Sequence, residues 1–201
     1  MIIRLLDNGK CSVDTFAKEL HKARIKFGAG FRDKPDSRLE QIHLNHGRLY
    51  GLFNRSNHMI AGLAAHNLEM MPQTLHEPDL THYTPNKVWE ISELWTSSLG
   101  AGSELRIGMM ILGWEMSIEA ILIYLALEPF NNTKFYRKIG FKQMSSPIRY
   151  PFLETINGLP FQAAPFLLSG DEFDAIHNKY INKVDKSKAD LSAIEFRSFI
   201  R

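Results

Sequence analysis

Between Val88 and Phe141 the chain runs from a β-rich segment through a glycine loop into a helical stretch, then through an apolar strand to a short second helix. That order leaves few folds open. Val88-Trp89-Glu90-Ile91-Ser92-Glu93-Leu94-Trp95 has strand composition, and alternation puts Glu90 and Ser92 on the face opposite Trp89 and Ile91. Leu99-Gly100-Ala101-Gly102 can bend tightly and expose backbone N–H groups, and Ser103 to Leu112 follows with helical spacing. A helix that opens from a glycine turn is a phosphate-binding element. Ala120 to Leu127 has the length and the Ile-Leu-Ile-Tyr-Leu content of a strand at a sheet centre rather than of a helix. The Trp89 and Ile121 strands are therefore predicted to be parallel neighbours. Phe135 to Phe141 reads as a short helix stopped by Gly140.

The flanking segments supply the rest of a sheet and its covering helices. Met1 to Leu6 reads as a first strand, and Ser12 is placed to cap a helix carrying Val13, Phe16, Leu20 and Phe27 on one face. Pro35 opens a second helix with Leu39, Ile42 and His43. Gly47 to Asn54 and Met59 to His66 form a hairpin turned at Arg55-Ser56-Asn57-His58. Glu69 to Lys87, with Pro72, Pro78 and Pro85, reads as a long surface loop. Lys142 to Phe152 and Leu159 to Leu168 pair antiparallel, and Ser169-Gly170-Asp171-Glu172 is a capping box for a helix to about Ile181. Leu191, Ile194 and Phe199 then either fold back on the core or meet another subunit.

At 201 residues and 44% hydrophobic content the chain fits one domain, 1–201, with 185–201 as a C-terminal extension. A net charge of +2 gives no global field for nucleic acid. Cys11 is the only cysteine, Met1 to Leu6 is too short for a secretory signal, and charges interrupt every apolar run before the roughly 20 residues of a membrane span. A cytoplasmic protein without membrane attachment is expected. His43 and His46 lack the further ligands of a metal site, so no metal cofactor is expected.

Phe135-Tyr136-Arg137-Lys138-Ile139-Gly140-Phe141 resembles the signature of the GNAT acyl-CoA N-acyltransferases. Within that superfamily, Val88-Trp89-Glu90-Ile91-Ser92 resembles the Trp-Glu-x-Ser-Arg strand of the acyl-homoserine-lactone (autoinducer) synthases, and Met70-Met71-Pro72-Gln73 sits where those enzymes carry Leu-Leu-Pro-Thr. The resemblance implies an α/β GNAT fold: a mixed central sheet with helices on both faces, in which the Trp89 and Ile121 strands splay apart at their C-terminal ends to admit pantetheine. It implies transfer of an acyl group from acyl-CoA or an acyl-carrier protein to a small-molecule amine. Two positions reverse charge, since Glu93 and Glu69 stand where the synthases keep arginine.

Acyl transfer from a thioester needs a neutral amine, donors for the oxyanion and a proton for the departing thiolate. Glu90 is the candidate base, directly or through water, and the resemblance agrees; the competing reading is a carboxylate paired with an arginine. Tyr136 matches the GNAT tyrosine that protonates the thiolate, against a purely core role. Ser92, Glu93 and Trp95 are the candidate substrate contacts. Gly100, Gly102, Ser103, Arg106 and Gly108 are the candidate cofactor cradle, although of the family's pyrophosphate-loop positions Ser103, Arg106 and Gly108 only the last matches. Lys134, Arg137, Lys138 and Lys142 form a basic cluster suited to a nucleotide phosphate, to an acidic carrier protein or simply to solvent. If Glu69 and Glu93 both offer negative charge to the acceptor, it should be a cationic or neutral amine, or an amino acid, and not the acceptor of an ordinary homoserine-lactone synthase. A noncatalytic ligand-binding module on the same fold is the alternative.

Overall fold

The Val88–Thr96 strand lies between an antiparallel neighbour and a parallel one, and this junction organises everything around it. The computed structural model describes residues 1–6, 9–27, 31–33, 39–68, 79–127, 133–155, 157–184 and 193–195. In chain order the elements are β1 (Ile2–Leu5), α1 (Lys10–Phe27), β2 (Phe31–Asp33), α2 (Leu39–His46), β3 (Arg48–Phe53), β4 (Met59–Asn67), β5 (Val88–Thr96), α3 (Ala101–Glu115), β6 (Ala120–Ala126), α4 (Thr133–Lys138), β7 (Lys142–Gln143), β8 (Ile148–Thr155), β9 (Pro160–Ser169), α5 (Asp171–Tyr180) and β10 (Ala193–Glu195). The strands make one sheet in the order β10-β1-β3-β4-β5-β6-β9-β8-β2, with β7 beside β9. Among the described residues only β5 and β6 run parallel, as a strand–helix–strand crossover through α3 requires.

Register sorts the side chains to two faces. On one, Trp89 and Ile91 of β5, Ile121 and Ile123 of β6 and Phe166 and Leu168 of β9 bury against Leu105, Met109 and Leu112 of α3 and Phe173 and Ile176 of α5. Each such side chain contributes about 1.5–3 kcal/mol when fully buried, so this layer is the main source of stability. On the other face Phe16 and Leu20 of α1 and Leu44 of α2 pack on Leu49, Ala64 and Trp95. Farther along that second face, Leu80 covers Val88, Ala120, Leu122 and Leu167. Among the described residues no helix is long and apolar enough to cross a membrane.

Several local expectations change. Helix α1 begins at Lys10, with the Gly9 carbonyl accepting the amides of Ser12 and Val13, so Ser12 lies inside the helix and does not cap it. The Ser169 capping box does not form: Gly170 is the cap residue, in a conformation that suits glycine (φ 57°, ψ −137°), and the Ser169 hydroxyl accepts a 2.8 Å hydrogen bond from Tyr83. That bond ties residues 79–87, read from sequence as free loop, to β9, and Pro85–Lys87 is a 3₁₀ turn. Helix α3 starts at Ala101, two residues before Ser103. Strand β10 pairs with β1, which resolves the folded-back alternative for the chain end around Ile194. Pro35 and Glu69 to Pro78 lie outside the described residues.

Candidate active site

Pairing between β5 and β6 consists of three positions, Val88 with Ala120, Trp89 with Ile121 and Glu90 with Leu122. Beyond them β5 continues to Thr96 beside β4, and β6 continues to Ala126 beside β9. The two strands therefore part after Glu90, as the family resemblance implies for the Trp89 and Ile121 strands. Backbone groups of the two inner edges face each other across the gap with no ladder between them.

Glu90 stands at the vertex. It pairs in register with His66 on β4, is only 2% exposed, and points to the α1/α2 face. Ser92 follows on the same face, with its hydroxyl 3.1 Å from Nε2 of His66. His66 packs against the backbone where β3 begins: a Cβ on Gly47 would meet its Cε1 at 2.4 Å, so only glycine admits the ring. Its imidazole is tilted against that of His43, with ring centroids 4.6 Å apart. Burial, aided by His43 and His46 and opposed by Glu93, drives the His66 pKa from the ordinary 6.5 to about 3. It is neutral at neutral pH, with one ring nitrogen to donate and one to accept.

Glu93 breaks the alternation of β5. Its φ is 48°, a left-handed conformation uncommon outside glycine, and the β4–β5 register slips between Gly62, opposite Trp95, and Ala64, opposite Ser92. The bulge returns Trp95 to the α1/α2 face, edge-on to Phe16 at 5.9 Å, and sends Leu94 to the α3 side. Without it Glu93 would enter the apolar α3 layer. Instead its carboxylate binds Arg24 of α1 at 2.6 Å and His43 Nδ1 of α2 at 2.8 Å. Burial pushes the Glu93 carboxyl up, but the His43 hydrogen bond and the charges of Arg24 and His43 outweigh it and leave the pKa below 4.5. Its charge is thus matched internally. The expectation that Glu93 turns unbalanced negative charge toward a substrate is corrected on that ground, and Glu69 lies outside the described residues.

Across the sheet, Tyr136 of α4 is 2% exposed, with Phe135 and Phe141 edge-on at 5.4 and 5.3 Å. The Arg106 guanidinium from α3 sits over the Tyr136 ring at 5.1 Å and over Phe135 at 5.3 Å. Burial pushes the Tyr136 phenol above its ordinary 10, with Arg106 pulling the other way, so the phenol is protonated at neutral pH. Arg106 thus lies against the α4 rings, and its Nη1 also reaches the glycine turn, 3.5 Å from where a Cβ on Gly102 would stand.

That loop joins the end of β5 to α3. Gly100 caps the helix with φ 81°, and its carbonyl accepts the amides of Ser103 and Glu104, while Ser98 O accepts that of Ala101. Gly102 is left as the first-turn amide with no bond of this kind among the described residues. Gly108 is different. It is buried well inside α3, its amide committed to the helix ladder, so it cannot belong to a phosphate loop. Of the basic cluster, Lys142 pairs with Glu172, and Arg137 bonds Gln143 at 2.7 Å.

The structure thus places Glu90, Ser92, Glu93 and Trp95 on the α1/α2 face of the sheet, Tyr136 and Arg106 together on the α3 face, and Gly100, Gly102 and Ser103 where the end of β5 turns into α3. Sequence reasoning missed His66, His43 and Arg24, which meet β5 only through tertiary folding. The β4–β5 register, which pairs His66 with Glu90, brings the first of them to the site and is set across a long connection. A separate depression of about 490 Å³, lined by Leu6, Thr15, Phe53 and Met59 among others, lies under α1 and includes none of these residues. No group of three or more metal-ligating side chains occurs among the described residues.

No protein-family model matches the chain, and no curated protein matches it in sequence. Among solved structures it is similar to FeeM, an N-acyl amino acid synthase from uncultured soil microbes, with TM-score 0.65 and 15% identity over 87% of this chain and 94% of that one. It is also similar to a Bacillus subtilis acetyltransferase in complex with CoA, with TM-score 0.55 and 13% identity over 84% and 97% of the two chains. The Escherichia coli ribosomal-protein-S18-alanine N-acetyltransferase gives TM-score 0.53 and 10% identity over 84% and 94%. The chain has the GNAT N-acyltransferase fold, a mixed central sheet with helices on both faces.

Proposed function

We propose that the protein is an N-acyltransferase that moves an acyl group from a CoA or carrier-protein thioester to the amine of a small molecule, with an amino acid as the favoured acceptor. One observation carries the reading: the β5–β6 ladder ends at Glu90, so a buried acidic side chain stands where the two strands part. The likeness to an N-acyl amino acid synthase and to a CoA-bound acetyltransferase supports the choice of donor and acceptor class.

In this reading the pantetheine arm lies between the parted strands, and the phosphates meet the Gly100–Ser103 turn. The acceptor comes from the α1/α2 side, where Ser92 offers a hydroxyl and Trp95 an apolar wall. The amine nitrogen attacks the thioester carbonyl carbon, and Glu90 takes the proton that nitrogen loses, directly or through one water. Free amides along the splayed β5 edge are suited to hold the oxyanion. When the C–S bond breaks, the electron pair stays on sulfur and Tyr136 supplies its proton. Because Glu93 is neutralised by Arg24, its charge does not oppose an acceptor that carries its own carboxylate.

The test is purified protein incubated with octanoyl-CoA and a mixture of amino acids and simple amines, read by free-thiol release and mass spectrometry. An acyl amide that requires Glu90 is the expected product. An acyl-homoserine lactone with the same requirement in expressing cells would transfer the protein to the autoinducer branch. Absence of amide and of CoA binding would favour the noncatalytic module.

A further inference from the structure

The clamp on Glu93 has no role in the chemistry above, yet it joins both covering helices to the strand that forms the cleft. Arg24 reaches it from α1 and His43 from α2, and the carboxylate they share belongs to the one residue of β5 with a left-handed backbone. For a residue other than glycine that conformation is disfavoured roughly 5- to 30-fold, so something must hold it. Relaxed to ordinary strand geometry, β5 would regain a regular ladder with β4, but Glu93 would then face the apolar α3 layer and Trp95 would leave Phe16. The kink also follows directly on the point where β5 parts from β6.

We infer that Arg24 and His43 are positioning residues for the thioester site: by gripping the Glu93 carboxylate they hold the left-handed kink of β5 and so keep the cleft between β5 and β6 open. The inference rests on the N-acyltransferase reading for the cleft's occupant, but the kink itself can be measured without one. Glu93 then acts through the backbone and does not touch substrate. His43 carries a second duty, since its ring also backs His66, the partner of the Ser92 hydroxyl.

Glycine discriminates the two roles, because it adopts the left-handed conformation without a clamp. Octanoyl-CoA binding is measured by calorimetry, and amide hydrogen exchange of residues 91–96 by mass spectrometry, for the full chain and for Glu93→Ala and Glu93→Gly. The alanine variant is expected to bind about 10-fold or more weakly, with faster exchange in that segment, and the glycine variant to recover about 5-fold of the loss. Binding by Glu93→Ala equal to that of the unmodified protein overturns the inference. So does equal impairment in both variants, which would mean that the carboxylate itself meets the ligand. If the unmodified protein binds no octanoyl-CoA, the thioester reading fails by itself, and exchange alone decides the clamp: faster in Glu93→Ala and restored in Glu93→Gly supports it, unchanged in Glu93→Ala overturns it. Should Glu93→Ala not fold, His43→Phe keeps a ring against His66 and removes one arm, and unaltered exchange at 91–96 there overturns the inference.

Discussion

The two faces of the sheet are built on different terms. Toward α3 and α5 the strands present Trp89, Ile91, Ile121, Phe166 and Leu168, an apolar layer of the kind that stabilises any α/β domain. Toward α1 and α2 the sheet buries His66 of β4 and Glu90 of β5, α2 adds His43, and the bulge adds the Glu93 carboxylate. Buried ionisable groups are costly unless paired, and apolar residues of the same volume would often serve stability as well. The other side also buries Glu104 of α3 and His177 of α5, but His43, His66, Glu90 and Glu93 gather beside the central strand where it leaves its neighbour, and in the proposed reaction that is where their cost is offset by chemistry. The apolar face supplies rigidity, and the polar face uses it.

The sharpest way to break this contrast is Glu90→Gln, which preserves shape and removes the base. Acyl transfer is expected to fall about 10³-fold with folding intact, read as amide formation beside a thermal melt. Undiminished transfer would return Glu90 to a structural role. On the opposite face Leu105→Ala should do the reverse, lowering unfolding free energy by about 2–5 kcal/mol in urea titration while surviving folded molecules keep their turnover. A large loss of turnover per folded molecule would mean that the faces are not separable.

Tyr136→Phe samples the boundary, because the phenol lies in the apolar layer but is the proton donor of the proposed reaction. Turnover should drop about 10²-fold with little change in stability, and equal activity would leave Tyr136 as core. The smallest effect is in pH. Folding lowers the His66 pKa from 6.5 to about 3, so the unfolded chain binds more protons in between. The stabilisation is complete above 6.5 and is lost as pH falls toward 3, by at most about 1.4 kcal/mol per pH unit for the one proton. Glu93, with its lowered pKa, adds loss in the same direction below 4.5. His66→Gln should flatten the stability profile between pH 6.5 and 4.5; a profile as steep as before would remove His66 as its source.

What the sequence disclosed follows the range of the interactions involved. The β5–α3–β6 unit and its parallel pairing were legible because length, glycine and apolar runs are local signals, and α4 was legible from the stop at Gly140, whose φ is 97°. The three-residue strands β2 and β10 were not, since such short segments carry no period and exist only by pairing with β8 and β1. Arg106 and Gly108 were read as helical, as they are, but the helix start was placed two residues late because nothing local marks that α3 begins at Ala101. Glu90, Ser92 and Tyr136 could be chosen from strand parity and motif. The parity itself fails at Glu93, because a bulge depends on what the partner strand and the covering helices offer. Arg24, 69 positions away in sequence, was beyond any pattern in β5.

The account stands or falls on what occupies the gap after Glu90. A crystal structure with octanoyl-CoA answers this directly. The pantetheine arm is expected between β5 and β6, with the phosphates at Gly100 to Ser103 and the thioester carbonyl flanked by Glu90 on one side and Tyr136 on the other. Ligand bound elsewhere, for example in the depression beside Leu6, Phe53 and Met59, with β5 and β6 joined by a continuous ladder beyond Glu90, would contradict it.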